Sequence, residues 1–350
     1  MNNNFILSLN GIRFYLFLLI LATHYKYIIE DTPIGKTLYS YLNQGCFAVL
    51  FFFILSGFCI ALGYSKTFDT IDKMSYFSFI KKRIIKIYPL YIITGLIMLF
   101  LAYLPRNIDW IWAFIFLYIP MISPYTHFPD GGGNGAGWFL SALFLCYLCT
   151  PFIINFLKKQ NLLKCMLITY VCIVFLSLIP ILIPALSQYT NFMYKFPPIR
   201  VFHYTFGLIL GMMYIVNQYK IQNNKIILKH YFLYECFIIF LILIIMFGFK
   251  HGNISISIFG VPIIALSIIY LCNTKTGFIY KVCTNKTSQL LGNISFECYM
   301  IHYPLCILFS DKIKPFCYSV INIVFYYFIL LFVTIVISLL YKNLVIKLKI

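Results

Sequence analysis

Long apolar runs separated by short basic or polar loops fill almost the whole of this 350-residue chain. A helix needs about 20 mostly apolar residues to cross a bilayer, and ten such runs are readable, at roughly 11–29, 45–63, 85–104, 137–157, 165–185, 200–217, 231–249, 253–272, 289–309 and 316–341. The pattern predicts an all-α fold, a polytopic transmembrane helical bundle of about ten spans. One additional apolar stretch, Asp109–Ser123, runs for only about 15 residues and suits a re-entrant, interfacial or short extra span. No repeat period and no linker interrupt the series. A single membrane-embedded domain over 1–350 is expected, with no soluble C-terminal domain.

Composition sharpens this picture. Hydrophobic residues make up 62% and charged residues 10%. A soluble domain carries about 25% charged residues, so this chain could not clothe a water-facing surface. The formal charge of +18 would suggest nucleic acid in a soluble protein. Here the basic residues sit between the apolar runs, where the positive-inside rule places them, and no nucleic-acid partner is expected. If 109–123 does not cross, Lys66, Lys73, Lys81, Lys82, Arg83 and Lys86 share a side with most other basic loops, among them those of Lys225 and Lys229. The opposite loops hold only Lys36, Arg106, Lys195, Lys250, Lys312 and Lys314. That asymmetry puts both termini in the cytoplasm, and it would collapse if 109–123 crossed. The polar, uncharged Met1–Asn10 is followed by no cleavage site, so the first run reads as a span rather than a removed leader.

The twelve cysteines are scattered singly, with Cys146 and Cys149 the closest pair, and read as small buried hydrophobes; no metal site is expected. The Gly-rich run Asp130–Gly137 has no strand before it and reads as a flexible loop rather than a phosphate cradle.

Ionisable groups inside spans are costly and mark candidate chemistry. Arg13 and His24 lie eleven residues apart in the first span. At 100° per residue they share a face, about 16 Å apart along the axis. The same two positions also suit an interfacial Arg and a snorkelling His. His302 falls in the outer half of the ninth span, with Ser295 on its face and Glu297 in mid-span pointing roughly 140° away. Arg200 and His203 open the sixth span, where a wet helix end would also account for them. Lys81, Lys82, Arg83 and Lys86 lead into the third span, as a topology anchor, a site for anionic membrane lipid or a grip for the phosphates of a donor.

In order along the chain, these segments resemble the integral-membrane acyltransferase-3 family, bacterial enzymes that O-acylate surface glycans. Arg13 and His24 match its Arg-to-His motif, and Leu55-Ser56-Gly57-Phe58 its Ser-Gly-Phe motif. Arg83 to Tyr91 looks like its Arg-x-x-Arg segment followed by Tyr-Pro, and Trp138-Phe139-Leu140 like its Trp-x-Leu helix. Arg200 with Gly207 matches a weaker motif, and Ile294-Ser295-Phe296 with Tyr299 and His302 the C-terminal signature. Four positions depart from the pattern. Leu50, Leu143 and His203 stand where many members carry an acid, and Lys86 where they carry a second Arg. Lysine keeps that charge but loses the bidentate phosphate geometry.

The resemblance implies acyl transfer, acetyl in the simplest case, to a hydroxyl of a cell-surface or lipid-linked saccharide at the bacterial inner membrane. Acetyl-CoA or another acyl-CoA would be a co-substrate rather than a bound cofactor. Arg83, Lys86 and Lys82 would hold its phosphates, Arg13 would face the thioester, and His24 would be the general base. Trp138, Arg200, His302 and Tyr299 would line or support the acceptor site. Ser56 is an acyl relay by residue type and a close-approach position by its Ser-Gly context. A transporter or flippase of a saccharide or other small molecule is the competing reading, favoured by inverted repeats and paired broken helices, neither of which the sequence displays. The sequence carries no signal for an oligomeric state.

Overall fold

The computed structural model describes residues 6–68, 73–105, 107–126, 128–222, 231–244 and 253–347. Within them the chain is helical, with no strand. The principal helices are α1 (Leu7–His24), α2 (Gly45–Tyr64), α3 (Lys73–Met98), α4 (Trp138–Lys158), α5 (Leu162–Leu182) and α6 (Pro197–Gln222). They continue with α7 (Tyr231–Leu243), α8 (Asn253–Asn273), α9 (Phe278–Thr284), α10 (Ser295–Ile313) and α11 (Val320–Lys347). Arg106, Lys225, Lys229 and Lys250, and the end of the expected 231–249 span, lie outside the described residues.

Among the described residues, seven helices are long and apolar enough to cross a membrane, or eight counting α8 and α9 as one span bent by 74°. About ten were expected. Two of the expected spans account for most of the difference. α10 carries Glu297, Asp311 and Lys312, and α7 is described for 13 residues only. The expected ninth span is also broken, because Lys286–Asn293 forms a helix of its own and α10 starts afresh at Ser295. Segment 109–123 forms a helical turn pair, Trp110–Ala113 and Phe114–Tyr118. Nine residues rise about 14 Å, too little to cross hydrocarbon of about 30 Å.

The chain divides into two compact units, each assembled from separate stretches. Unit 1 contains residues 1–12, 49–83 and 142–289; unit 2 contains residues 13–48, 84–141 and 290–350.

In unit 1, α2 and α6 approach so closely that each packs a glycine on the other's backbone. A Cβ on Gly57 would run into the Tyr204 carbonyl, and one on Gly207 into that of Ile54. Small residues permit such an approach between membrane helices, where packing rather than water drives association. Tyr204 is itself fixed by a hydrogen bond of 2.7 Å between its hydroxyl and that of Thr150 on α4. Nearby, the Glu235 carboxylate accepts from the Phe278 and Ile279 amides, capping α9 just after Gly277 turns the chain at φ 104°. A helix N-terminus presents unbonded N–H groups, and a buried carboxylate satisfies two of them here.

Two prolines inside helices show how unpaired backbone is handled. Proline has no N–H, so the carbonyl four residues earlier loses its donor. Pro262 in α8 thereby releases Ile258, and the Tyr170 hydroxyl on α5 donates to that carbonyl at 2.9 Å. Pro304 in α10 releases Met300 in the same way, and the Asn134 side chain donates to it at 2.8 Å.

Asn134 belongs to the Gly-rich run expected to be flexible, and in unit 2 that run is packed instead. It makes two short 3₁₀ turns, Pro129–Gly132 and Gly135–Gly137. A Cβ on Gly133 or Gly137 would strike the Tyr118 ring, and Gly132 lies against Ala113. The glycines serve close backbone approach rather than mobility. Tyr118 in turn stacks on Tyr91 of α3 at 4.1 Å, and each tyrosine donates to the other's carbonyl, at 3.0 and 2.9 Å.

Candidate active site

The chemistry expected at the end of α1 and in α10 is brought together in unit 2. His24 closes α1 and is half-buried, whereas His302 lies in the first half of α10 with no exposed surface. His302 Nε2 and His24 Nδ1 are 3.0 Å apart. Their proton arrangement follows from a second contact. His302 Nδ1 lies 3.3 Å from the Cys298 carbonyl, four residues back on its own helix. A carbonyl can only accept, so Nδ1 of His302 carries the hydrogen and Nε2 of the neutral ring carries the lone pair. His24 therefore donates through Nδ1, and its Nε2 is left as the basic nitrogen of the pair.

Aromatic rings surround this pair. Tyr303 meets His24 edge-on at 5.3 Å, and Tyr27 lies parallel to it at 6.4 Å. Phe17 and Tyr299 flank His302 at 5.6 and 5.7 Å. Tyr299 donates to the Ala136 carbonyl at 2.7 Å, which ties α10 to the Gly-rich turn just before Trp138. Trp138 starts α4, half-buried, with its ring beside Phe139, which packs on Tyr299. The sequence pointed to His24, His302, Tyr299 and Trp138 without their arrangement, and it did not single out Tyr27, Tyr303 or Asn134. Asn134 had a readable signal in Pro304, which leaves a carbonyl needing a donor.

Arg13 is half-buried on α1. Glu297, expected in mid-span, sits instead in the first turn of α10. Its Oε2 is buried and meets no hydrogen-bond partner among the described residues, and Lys342 and Lys86 act on it electrostatically.

The remaining candidates lie in unit 1, apart from the exposed Lys86 in unit 2. The Arg83 guanidinium sits among three aromatic rings, 5.1 Å from Tyr64, 5.1 Å from Phe79 and 5.6 Å from Tyr147. It donates to the Tyr64 hydroxyl at 2.8 Å, while its Nε is buried and meets no acceptor among the described residues. Lysine could not fill this box as well, because a planar guanidinium stacks on rings and an ammonium does not. Lys82 is exposed. Ser56 is half-buried on α2, directly before the close-packed Gly57. Arg200 and His203 are not a wet helix end: 3% and 1% of their surfaces are exposed.

A family model described as an acyltransferase domain matches residues 6–342. The chain belongs to the acyltransferase-3 family. Two curated relatives agree with this membership. The chain is 25% identical over 225 residues to acyltransferase MdmB of Streptomyces mycarofaciens, an alignment covering 59% of this chain and 57% of that protein. It is 26% identical over 225 residues to an O-acetyl transferase of Shigella phage Sf6, covering 60% and 62%. The chain thus spans roughly three-fifths of the length of each relative it matches. No solved structure matches it.

Proposed function

We propose that this chain is a membrane O-acyltransferase that moves an acyl group, acetyl in the simplest case, from cytoplasmic acyl-CoA to a hydroxyl of a cell-surface or lipid-linked saccharide. The observation that carries the reading is the His24–His302 hydrogen bond, which leaves a basic nitrogen at His24 Nε2. The relatives' names support acyl and acetyl transfer; the saccharide follows from the resemblance and from the aromatic walls beside His24.

In this reaction His24 Nε2 takes the proton of the acceptor hydroxyl as its oxygen attacks the thioester carbonyl. The new C–O bond forms, the carbonyl pair returns and the C–S bond breaks. The proton then leaves with the thiolate as free CoA thiol. Proton loss from the substrate makes His24 an imidazolium, and the lone pair of His302 Nε2 stabilises the Nδ1–H that points at it. Arg13 lies about 16 Å along α1 from His24, too far away to stabilise an oxyanion formed beside it. It would instead meet the thioester arm of the donor on its way in. Arg83, with the exposed Lys82 and Lys86, would hold the donor's phosphates. Trp138 and Tyr299 would support the acceptor wall. The chain would lie in the bacterial inner membrane with both termini in the cytoplasm.

The test compares surface glycan from cells producing wild type, His24→Ala or no protein, by NMR of O-acyl esters that mild alkali removes. Esters with wild type alone support transfer through His24. Equal ester content in all three, with both proteins present in the membrane, overturns the saccharide reading and favours transport.

A further inference from the structure

A lysine stands two residues past the proposed base. Lys26 opens the short helix Lys26–Ile29 and is half-buried. Its Nζ lies over the Tyr27 ring, 5.0 Å from the ring centre. That ring is parallel to the His24 ring to within 9°, with centres 6.4 Å apart. The sum of these two distances, about 11 Å, is the furthest the ammonium can be from the His24 ring centre. Tyr303 closes the corner, buried and edge-on to His24 and Tyr27 at 5.3 and 5.9 Å. All four residues belong to unit 2.

Among the described residues no carboxylate pairs with Lys26. Asp31 is taken by Lys314, and Glu30, one turn on, is exposed and makes no bridge to it. The contact with Tyr27 holds the ammonium in place but leaves its charge uncompensated.

That charge bears on the chemistry. In the proposed reaction His24 becomes positive as it takes the proton of the acceptor, and a second cation this near opposes the step. A neutral hydroxyl on Nζ would leave the opposition in place. A carboxylate or phosphate would remove it and gain a charge-assisted hydrogen bond at the same time. The distance limit suits an anionic group carried by the acceptor itself, because one or two sugar rings bridge from a hydroxyl at His24 Nε2 to Nζ. We propose that the acceptor is an acidic saccharide whose carboxylate or phosphate pairs with Lys26 while its hydroxyl meets His24. Placing the anion on an acceptor rests on the transferase reading above; the demand for an anion rests on Lys26, Tyr27 and His24.

The test uses full-length chain in phosphatidylcholine nanodiscs with radiolabelled acetyl-CoA. The acceptors are the methyl glycosides of glucuronic, galacturonic and N-acetylneuraminic acids, and methyl glucoside 6-phosphate. Each acid is paired with its neutral methyl ester, and the phosphate with the parent glucoside. Equilibrium binding of the same compounds is measured without acetyl-CoA. For at least one acid, affinity and kcat/KM in wild type should exceed those of the neutral partner about tenfold, the effect of one hydrogen bond to a charged group. Lys26→Gln should bring the ratio to about one, and Lys26→Arg should keep it. The compound that responds separates carboxylate from phosphate. Equal values for acid and neutral partner in wild type, or a preference that survives in Lys26→Gln, would overturn the proposal. So would an effect of Lys26 seen only when phosphatidylglycerol is added, which gives the lysine to a lipid headgroup. Acid binding that needs Lys26, without acetyl transfer, leaves the anion site standing and sinks the transferase reading. Transfer to acidic and neutral sugars alike sinks the anion site alone, and neither binding nor transfer with any sugar sinks both.

Discussion

His302 Nε2 accepts a hydrogen bond from His24 Nδ1 across 3.0 Å, and the direction of that bond is fixed by the Cys298 carbonyl behind His302. In the proposed mechanism the first histidine would be the base and the second its orienting partner. His24→Ala should lower acyl transfer by about a hundred- to ten-thousandfold, the range for loss of a general base. Wild-type rates in His24→Ala membranes, measured as CoA thiol release with acceptor present, would remove His24 from the chemistry.

Replacing His302 separates orientation from packing. His302→Phe fills the space but offers no acceptor to His24, and should lower kcat by roughly tenfold with little change in KM. His302→Gln can still accept through its amide oxygen and should recover part of the loss. If Gln and Phe behave alike, the hydrogen bond is not what His302 contributes.

Asn134 and Pro304 form a testable couple through the Met300 carbonyl. Asn134→Ala strands that carbonyl and should cost about 1–3 kcal/mol of stability, read as an earlier thermal unfolding transition in detergent. In a Pro304→Ala background the helix regains its own N–H donor, so the same Asn134→Ala change should cost much less. Additive effects across this double-mutant cycle would refute the coupling.

The crossing of α2 and α6 depends on the absence of a side chain at two places. Gly57→Ala and Gly207→Ala each push a methyl into a neighbouring carbonyl and should destabilise by about 1–3 kcal/mol. Gly63→Ala on the same helix meets nothing within 4 Å and is the control. Equal melting of all three variants would contradict the close approach.

Glu235 holds the start of α9 through the Phe278 and Ile279 amides. Glu235→Ala should cost about 0.5–2 kcal/mol, the range for a lost N-cap. Glu235→Gln keeps one acceptor oxygen and should fall between the two. A Gln variant less stable than the Ala variant would point to a different role for this buried acid.

The run of apolar segments determined by itself that the chain is a helical membrane protein, because continuous apolar runs of about 20 residues suit spanning helices, whereas a closed barrel would need alternating strands of about ten. The spacing of Arg13, His24, Ser56, Gly57, Trp138 and His302 was enough for the family resemblance that residues 6–342 bear out. Helix periodicity along one segment says nothing about its neighbours, so the rest waited on tertiary structure. Glycines at 133 and 137 look alike whether they are mobile or pressed on Tyr118, and only the position of that ring distinguishes the two. Likewise the sequence left Arg200 and His203 open between a wet helix end and candidate chemistry, and only the packing that buries both excludes the wet end. Among the described residues seven or eight helices pass as spans, and hydropathy alone does not register a helix break such as that at Ile294. Pairing between His24 and His302, 278 positions apart in sequence, was decided by packing in unit 2. Sequence supplied the groups; the fold decided which nitrogen holds the proton.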